Sequence, residues 1–162
     1  MPETVADAPH EDLEQSLSWL LSESLRAHLG AMRGAVGDLP HGPRGFEVLC
    51  GAADPTPHNQ AELAKYLGLD RTVMVYLVDD LEEAGLVERV PDPNDRRSKL
   101  IRATPAGAAR LRELRKVTAA AEAELLVDLS PGETELLRSL LQRIVTRGPR
   151  YDHAHDCRKD EC

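Results

Sequence analysis

Apolar residues change their spacing twice between Asn59 and Gly107, and the changes mark out four elements. From Arg71 to Ala84, Met74, Leu77, Val78 and Leu81 recur at i, i+3, i+4 and i+7, which places them on one side of a helix. Just upstream, Asn59 and Glu62 have the spacing of a capping box and Gly68 follows as a stop, so a short helix precedes the first. Asp70 then caps the second helix only two residues later. A connection that short forces the two helices to cross steeply and leaves one face of the second uncovered. Beyond Gly85 the chain reads as a strand from Leu86 to Val90, a turn in PDPND, and a returning strand from Lys99 to Ala103.

The flanks are helical. Leu13, Leu17, Leu21, Leu25, His28 and Met32 predict one long first helix ending near Ala35, and GDLPHGP breaks it before a helix from Arg44 to Ala52 that carries Phe46, Leu49 and Cys50. Thr104 caps and Pro105 starts a helix to about Asp128. Ser130, Pro131 and Glu133 begin a last helix whose Leu136, Leu137, Leu140, Leu141 and Ile144 are too apolar for an end left in water. The fold class is therefore mainly α with a small β-hairpin wing: a winged helix-turn-helix core with helices before and after it. One domain spans residues 1–147, with the winged unit at about 43–104, flanking helices at about 11–35 and 105–146, and a tail at 148–162.

A steeply crossed second helix is the shape that enters a DNA major groove, and its N-terminal turn meets base edges. Its polar side holds Arg71, Thr72, Val73, Val75, Tyr76 and Asp79, and Gln60 opens the helix before it. Arg96, Arg97 and Lys99 lie at or beside the tip of the hairpin, where guanidinium groups suit phosphates or a narrow minor groove. The net charge of −8 argues against a nucleic-acid partner until it is located. Residues 1–25 hold Glu3, Asp7, Glu11, Asp12, Glu14 and Glu23 and no Lys or Arg, whereas Arg89, Arg96, Arg97, Lys99 and Arg102 face only Asp92 and Asp95, a local +3. With screening over ~10 Å, the local charge governs phosphate attraction.

QAELAKYLGLDRT, LVDDLEEAGLVERVPDPNDRR and ATPAG, together with LSPGETELL, resemble the multiple antibiotic resistance regulator (MarR) family of transcription factors over roughly residues 11–146. The DPNDRR wing after GLVER is the most specific of these motifs. The resemblance implies a homodimer whose terminal helices interlock, which binds a palindromic double-stranded DNA operator through the residues just named, in most cases as a repressor released by a small aromatic or phenolic ligand or by oxidation. Many members show Ser-Arg in mid-recognition helix where this chain has Val75 and Tyr76. Either these two read thymine methyls, a phosphate and DNA shape, or they pack on a neighbouring element.

At 162 residues with 3% aromatics the core must be aliphatic. No run reaches the length of a membrane span, and residues 1–25 carry no basic n-region, so a cytoplasmic protein with no membrane partner is expected. Three cysteines fit a reducing compartment, with Cys50 on an apolar stripe as a small core residue. Trp19, Arg26, His28, His41, Arg44 and Phe46 are candidates for a pocket that holds an aromatic carboxylate where the first two helices meet the winged unit. No cofactor is expected. In the tail, His153, His155, Cys157 and Cys162 are alternative metal or redox groups, although their spacing matches no established motif. Catalysis finds no support, for GxGxxG, GxxxxGK, GxSxG and HExxH are all missing. A winged helix used as a protein adaptor is the remaining alternative, and the paired wing arginines argue against it.

Overall fold

Ser16 interrupts the long N-terminal helix that the leucine spacing predicts. Its backbone is extended and its hydroxyl accepts from the amide of Trp19, so the chain restarts as a freshly capped helix. A computed structural model describes residues 11–147. In chain order the elements are α1 (Glu11–Glu14), α2 (Leu17–Val36), α3 (Pro43–Ala52), β1 (His58–Asn59), α4 (Gln60–Leu67), α5 (Arg71–Glu83), β2 (Val87–Pro91), β3 (Lys99–Ala103), α6 (Pro105–Leu125) and α7 (Pro131–Arg147).

Local bonds explain most of the boundaries. Asn59 accepts from the Glu62 amide and Glu62 accepts from the Asn59 amide, each at 2.9 Å, which completes the capping box of α4. Gly68 closes that helix at φ +63 and Gly85 turns the chain out of α5 at φ +71, a left-handed geometry that glycine adopts without strain. Thr104 caps α6 by accepting from Gly107, and its own hydroxyl donates to the Gly85 carbonyl, tying the base of the wing to the helix that follows. Helix α6 ends at Leu125, short of the expected Asp128, because residues 126–129 tighten into turns that bring Ser130 and Glu133 together to start α7.

The hairpin is part of a three-stranded antiparallel sheet in the order β1-β3-β2. Strand β1 is unanticipated: two residues have no period, and only the pairing of His58 with Ile101 and Asn59 with Leu100 reveals it. Strand β2 starts one residue later than predicted, at Val87, opposite Ala103.

The core gathers around α5. Met74, Leu77, Val78 and Leu81 are buried as their spacing predicts, against Val48 and Leu49 of α3, Leu63 of α4, Val87 of β2, Ile101 of β3 and Leu114 of α6. The α2 stripe behaves differently. Only its C-terminal end, Met32 and Val36, reaches this core, while Leu17 and Leu25 are more than half exposed. Leu136 and Ile144 of α7 are equally bare. Two apolar faces, on α2 and on α7, are thus uncovered among the described residues.

Candidate nucleic-acid interface

Burying four residues of α5 at helical spacing turns the rest of the helix outward. Arg71, Thr72, Val73, Val75, Tyr76 and Asp79 are all exposed. Val75 is 40% and Tyr76 62% exposed, so both side chains face outward with the rest of this face. Asp70 fixes the leading turn, accepting from the Thr72 amide at 2.7 Å and the Val73 amide at 3.4 Å. Those backbone donors hold its carboxyl below the ordinary aspartate range. Both bonds close the first turn of α5 onto Asp70.

Two aspartates shape the wing tip. The side chain of Asp92 accepts from the Asn94 amide at 2.8 Å and that of Asp95 from the Arg97 amide at 2.9 Å, each closing a local turn. The main chain closes the loop from the Asp92 amide to the Ser98 carbonyl at 3.1 Å. Arg96, Arg97, Lys99 and Arg102 all point into solvent, and none takes part in an ion pair among the described residues.

Arg89 corrects the local charge. Its side chain is only 19% exposed and points inward, meeting Asp79 at 2.5 Å, Glu82 and, at 3.2 Å, the amide oxygen of Gln60. Four outward bases against Asp92 and Asp95 leave the wing at 4 − 2 = +2 in place of +3. Gln60 is half-buried at the start of α4 and engaged in the same cluster, which it shares with the exposed Asp79 of α5. The acids of α5 held the missed signal: Asp79 and Glu82 stand three apart on a helix next to a strand that carries an arginine.

The six ligand candidates are distributed over α2, the loop after it and α3. Trp19, His28 and Phe46 are half-buried. The other three are already partnered: Arg26 with Glu23 at 2.6 Å, His41 with Asp80 at 2.6 Å and Arg44 with Glu47 at 2.7 Å. A groove of about 680 Å³ lies elsewhere, between α2 and α6, lined by Ala31, Gly34, Ala35, Val117, Ala121 and Leu125 among others, and by none of the six. Cys50 packs half-buried against the core; burial pushes its thiol up, and the nearby Arg115 only partly opposes that. His153, His155, Cys157 and Cys162 lie outside the described residues. Among those described, no cluster of three or more potential metal ligands occurs, and no helix is long and apolar enough to cross a membrane.

Known proteins share this arrangement. Residues 48–98 match the sequence model of the MarR family. The structure of CouR from Rhodococcus jostii RHA1 bound to p-coumaroyl-CoA is similar over 85% of this chain and 96% of its own, with 33% identity and a TM-score of 0.74. The transcriptional repressor CouR bound to a 23-mer DNA duplex matches over 86% of this chain and 99% of its own, at 30% identity and a TM-score of 0.77. Apo MarR from E. coli matches over 80% and 97%, with 27% identity and a TM-score of 0.70.

Proposed function

Since the chain belongs to the MarR family of DNA-binding transcriptional regulators, we propose that it works as a homodimeric, cytoplasmic repressor without catalytic activity, which a small aromatic or phenolic ligand releases from a palindromic operator. The observation that carries this reading is the joint exposure of one face of α5 and of four wing cations that form no ion pair among the described residues, as suits a base-reading helix next to a phosphate-binding arm. The uncovered leucines of α2 and α7 supply the dimer contact. Two recognition helices related by a twofold axis then fall one DNA turn apart, about 34 Å.

In this reading Arg71, Thr72, Val73, Val75 and Tyr76 face base edges and sugars, and Arg96, Arg97 and Lys99 hold phosphates or the minor groove. Val75 suits a thymine methyl, and the Tyr76 hydroxyl suits a phosphate oxygen. Support for an aromatic ligand comes from CouR, whose structure holds p-coumaroyl-CoA. Trp19, His28 and Phe46 offer half-buried aromatic and imidazole surface. Arg26, His41 and Arg44 already bind carboxylates of the protein, so a carboxylate ligand would exchange for Glu23, Asp80 or Glu47. Exchange at His41 would free Asp80 of α5 and link the ligand to the recognition helix.

Titrating the operator complex with p-coumarate, zinc and peroxide tests the switch, using the full chain and a chain ending before Tyr151. Release by p-coumarate from both forms, with a change in the fluorescence of the single tryptophan, Trp19, supports the pocket. Release only by zinc or peroxide, and only from the full chain, assigns the switch to the tail. No release by any of them refutes the proposed effector class.

A further inference from the structure

Arg89 is the most heavily engaged cation among the described residues. Its guanidinium has three acceptors on two helices: Asp79 and Glu82 of α5 and Gln60 of α4. Its main-chain amide donates to the other Glu82 oxygen at 3.1 Å, so that one carboxylate grips both the backbone and the side chain of β2. Only Ala84, Gly85 and Leu86 separate α5 from β2, and Gly85 is at φ +71. We propose that Arg89 is a positioning residue that locks the wing onto the recognition helix, so that base reading by α5 and phosphate binding by the wing occur in one register, while Arg89 itself leaves the DNA untouched.

The inference rests on the DNA-binding reading and adds a division of labour among the basic residues. The wing amplifies any error at its root. From Arg89 to Pro91 the strand extends about 7 Å before the turn residues begin, so a rotation of roughly 10° at the root already moves the start of the tip by about 1 Å, enough to weaken a hydrogen bond. A planar fork can satisfy acceptors on two helices at once, which a lysine ammonium on a flexible stem does poorly. Partial burial strengthens these contacts relative to an ion pair in open water.

Asp79 makes the idea testable, because electrostatics and positioning predict opposite results. It is an acid on the exposed side of α5, so neutralising it should favour DNA if nothing else changes. The test uses a duplex selected by the unaltered protein from a random pool and a scrambled duplex of the same composition. Positioning predicts that Asp79→Asn and Arg89→Lys each lower the preference for the selected duplex about tenfold, roughly one base contact. The double variant should be no worse than either single one, since both break the same lock. Leu81→Val, a core change, should lower the melting temperature and leave the preference intact, which separates positioning from general loss of stability. If Arg89→Lys fails to fold at the assay temperature, Glu82→Gln takes its place and should also lose preference. Tighter binding of Asp79→Asn to both duplexes at an unchanged preference overturns the proposal, as does an Arg89→Gln variant that keeps its preference and loses salt dependence. If the unaltered protein selects no sequence, the DNA reading falls with it; if it does and the variants keep the preference, only the lock falls.

Discussion

Replacing Arg97 by Ala should weaken DNA binding in proportion to how dilute the salt is. Arg97 is exposed on a wing tip whose backbone is fixed by Asp95 and Ser98, and none of the ion pairs among the described residues neutralises it. One phosphate contact contributes a slope of about 0.9 in log affinity against log salt, so two wings per dimer contribute about 1.8. Between about 50 and 200 mM salt, a fourfold range, that difference amounts to about 4 raised to 1.8, or roughly twelvefold. The variant should therefore lose about twelve times less affinity than the unaltered protein over that range, for selected and scrambled duplexes alike. Fluorescence anisotropy at four salt concentrations measures both slopes. Parallel lines would refute the assignment of Arg97 to phosphate, and a loss confined to the selected duplex would make it a base reader.

Leu81→Ala empties a fully buried site in the last turn of α5 and should destabilise the fold by about 2–5 kcal/mol in urea unfolding; a midpoint equal to that of the parent would contradict the core described above. A β-carbon at Gly107 would lie 1.9 Å from the Leu86 carbonyl oxygen. Gly107→Ala should thus push α6 from the wing root at a cost of about 1–3 kcal/mol, and a neutral effect would show that the two elements approach less closely. Because its backbone partners hold the Asp70 carboxyl low, the folded state gains stability from it above the ordinary aspartate range and loses that gain as pH falls through the lowered value. Asp70→Asn should accordingly flatten the acid limb of the urea midpoint against pH, and parallel limbs would remove the cap from the account. Burial raises the Cys50 thiol, so less thiolate is present near neutral pH and iodoacetamide should label Cys50 far more slowly in the native protein than in urea. Equal rates would contradict the burial of Cys50 in the core.

Legibility in the sequence follows the range of the forces involved. The recognition helix was readable because its buried stripe and its Asp70 cap are local, and the hairpin because turn residues separate two short runs. The break at Ser16 is not legible for a related reason: the leucine period continues across it, and one hydroxyl decides it. Strand β1 is two residues long and exists only through β3. The inward turn of Arg89 could not be read from charge counting, since its partners lie seven, ten and twenty-nine residues away. The groove between α2 and α6 depends on how two helices pack, which no local pattern encodes. Likewise the α2 stripe was legible as a stripe, but its period does not tell whether this chain or another covers it.

The most direct test of the central claim is selection of DNA from a random pool by the purified protein, followed by the mass of the complex in sedimentation velocity. The account predicts an inverted repeat with half-site centres about 10 base pairs apart, bound by two 17.8 kDa chains per duplex. Enrichment of no sequence, or of an unrepeated site bound by a single chain, would contradict it.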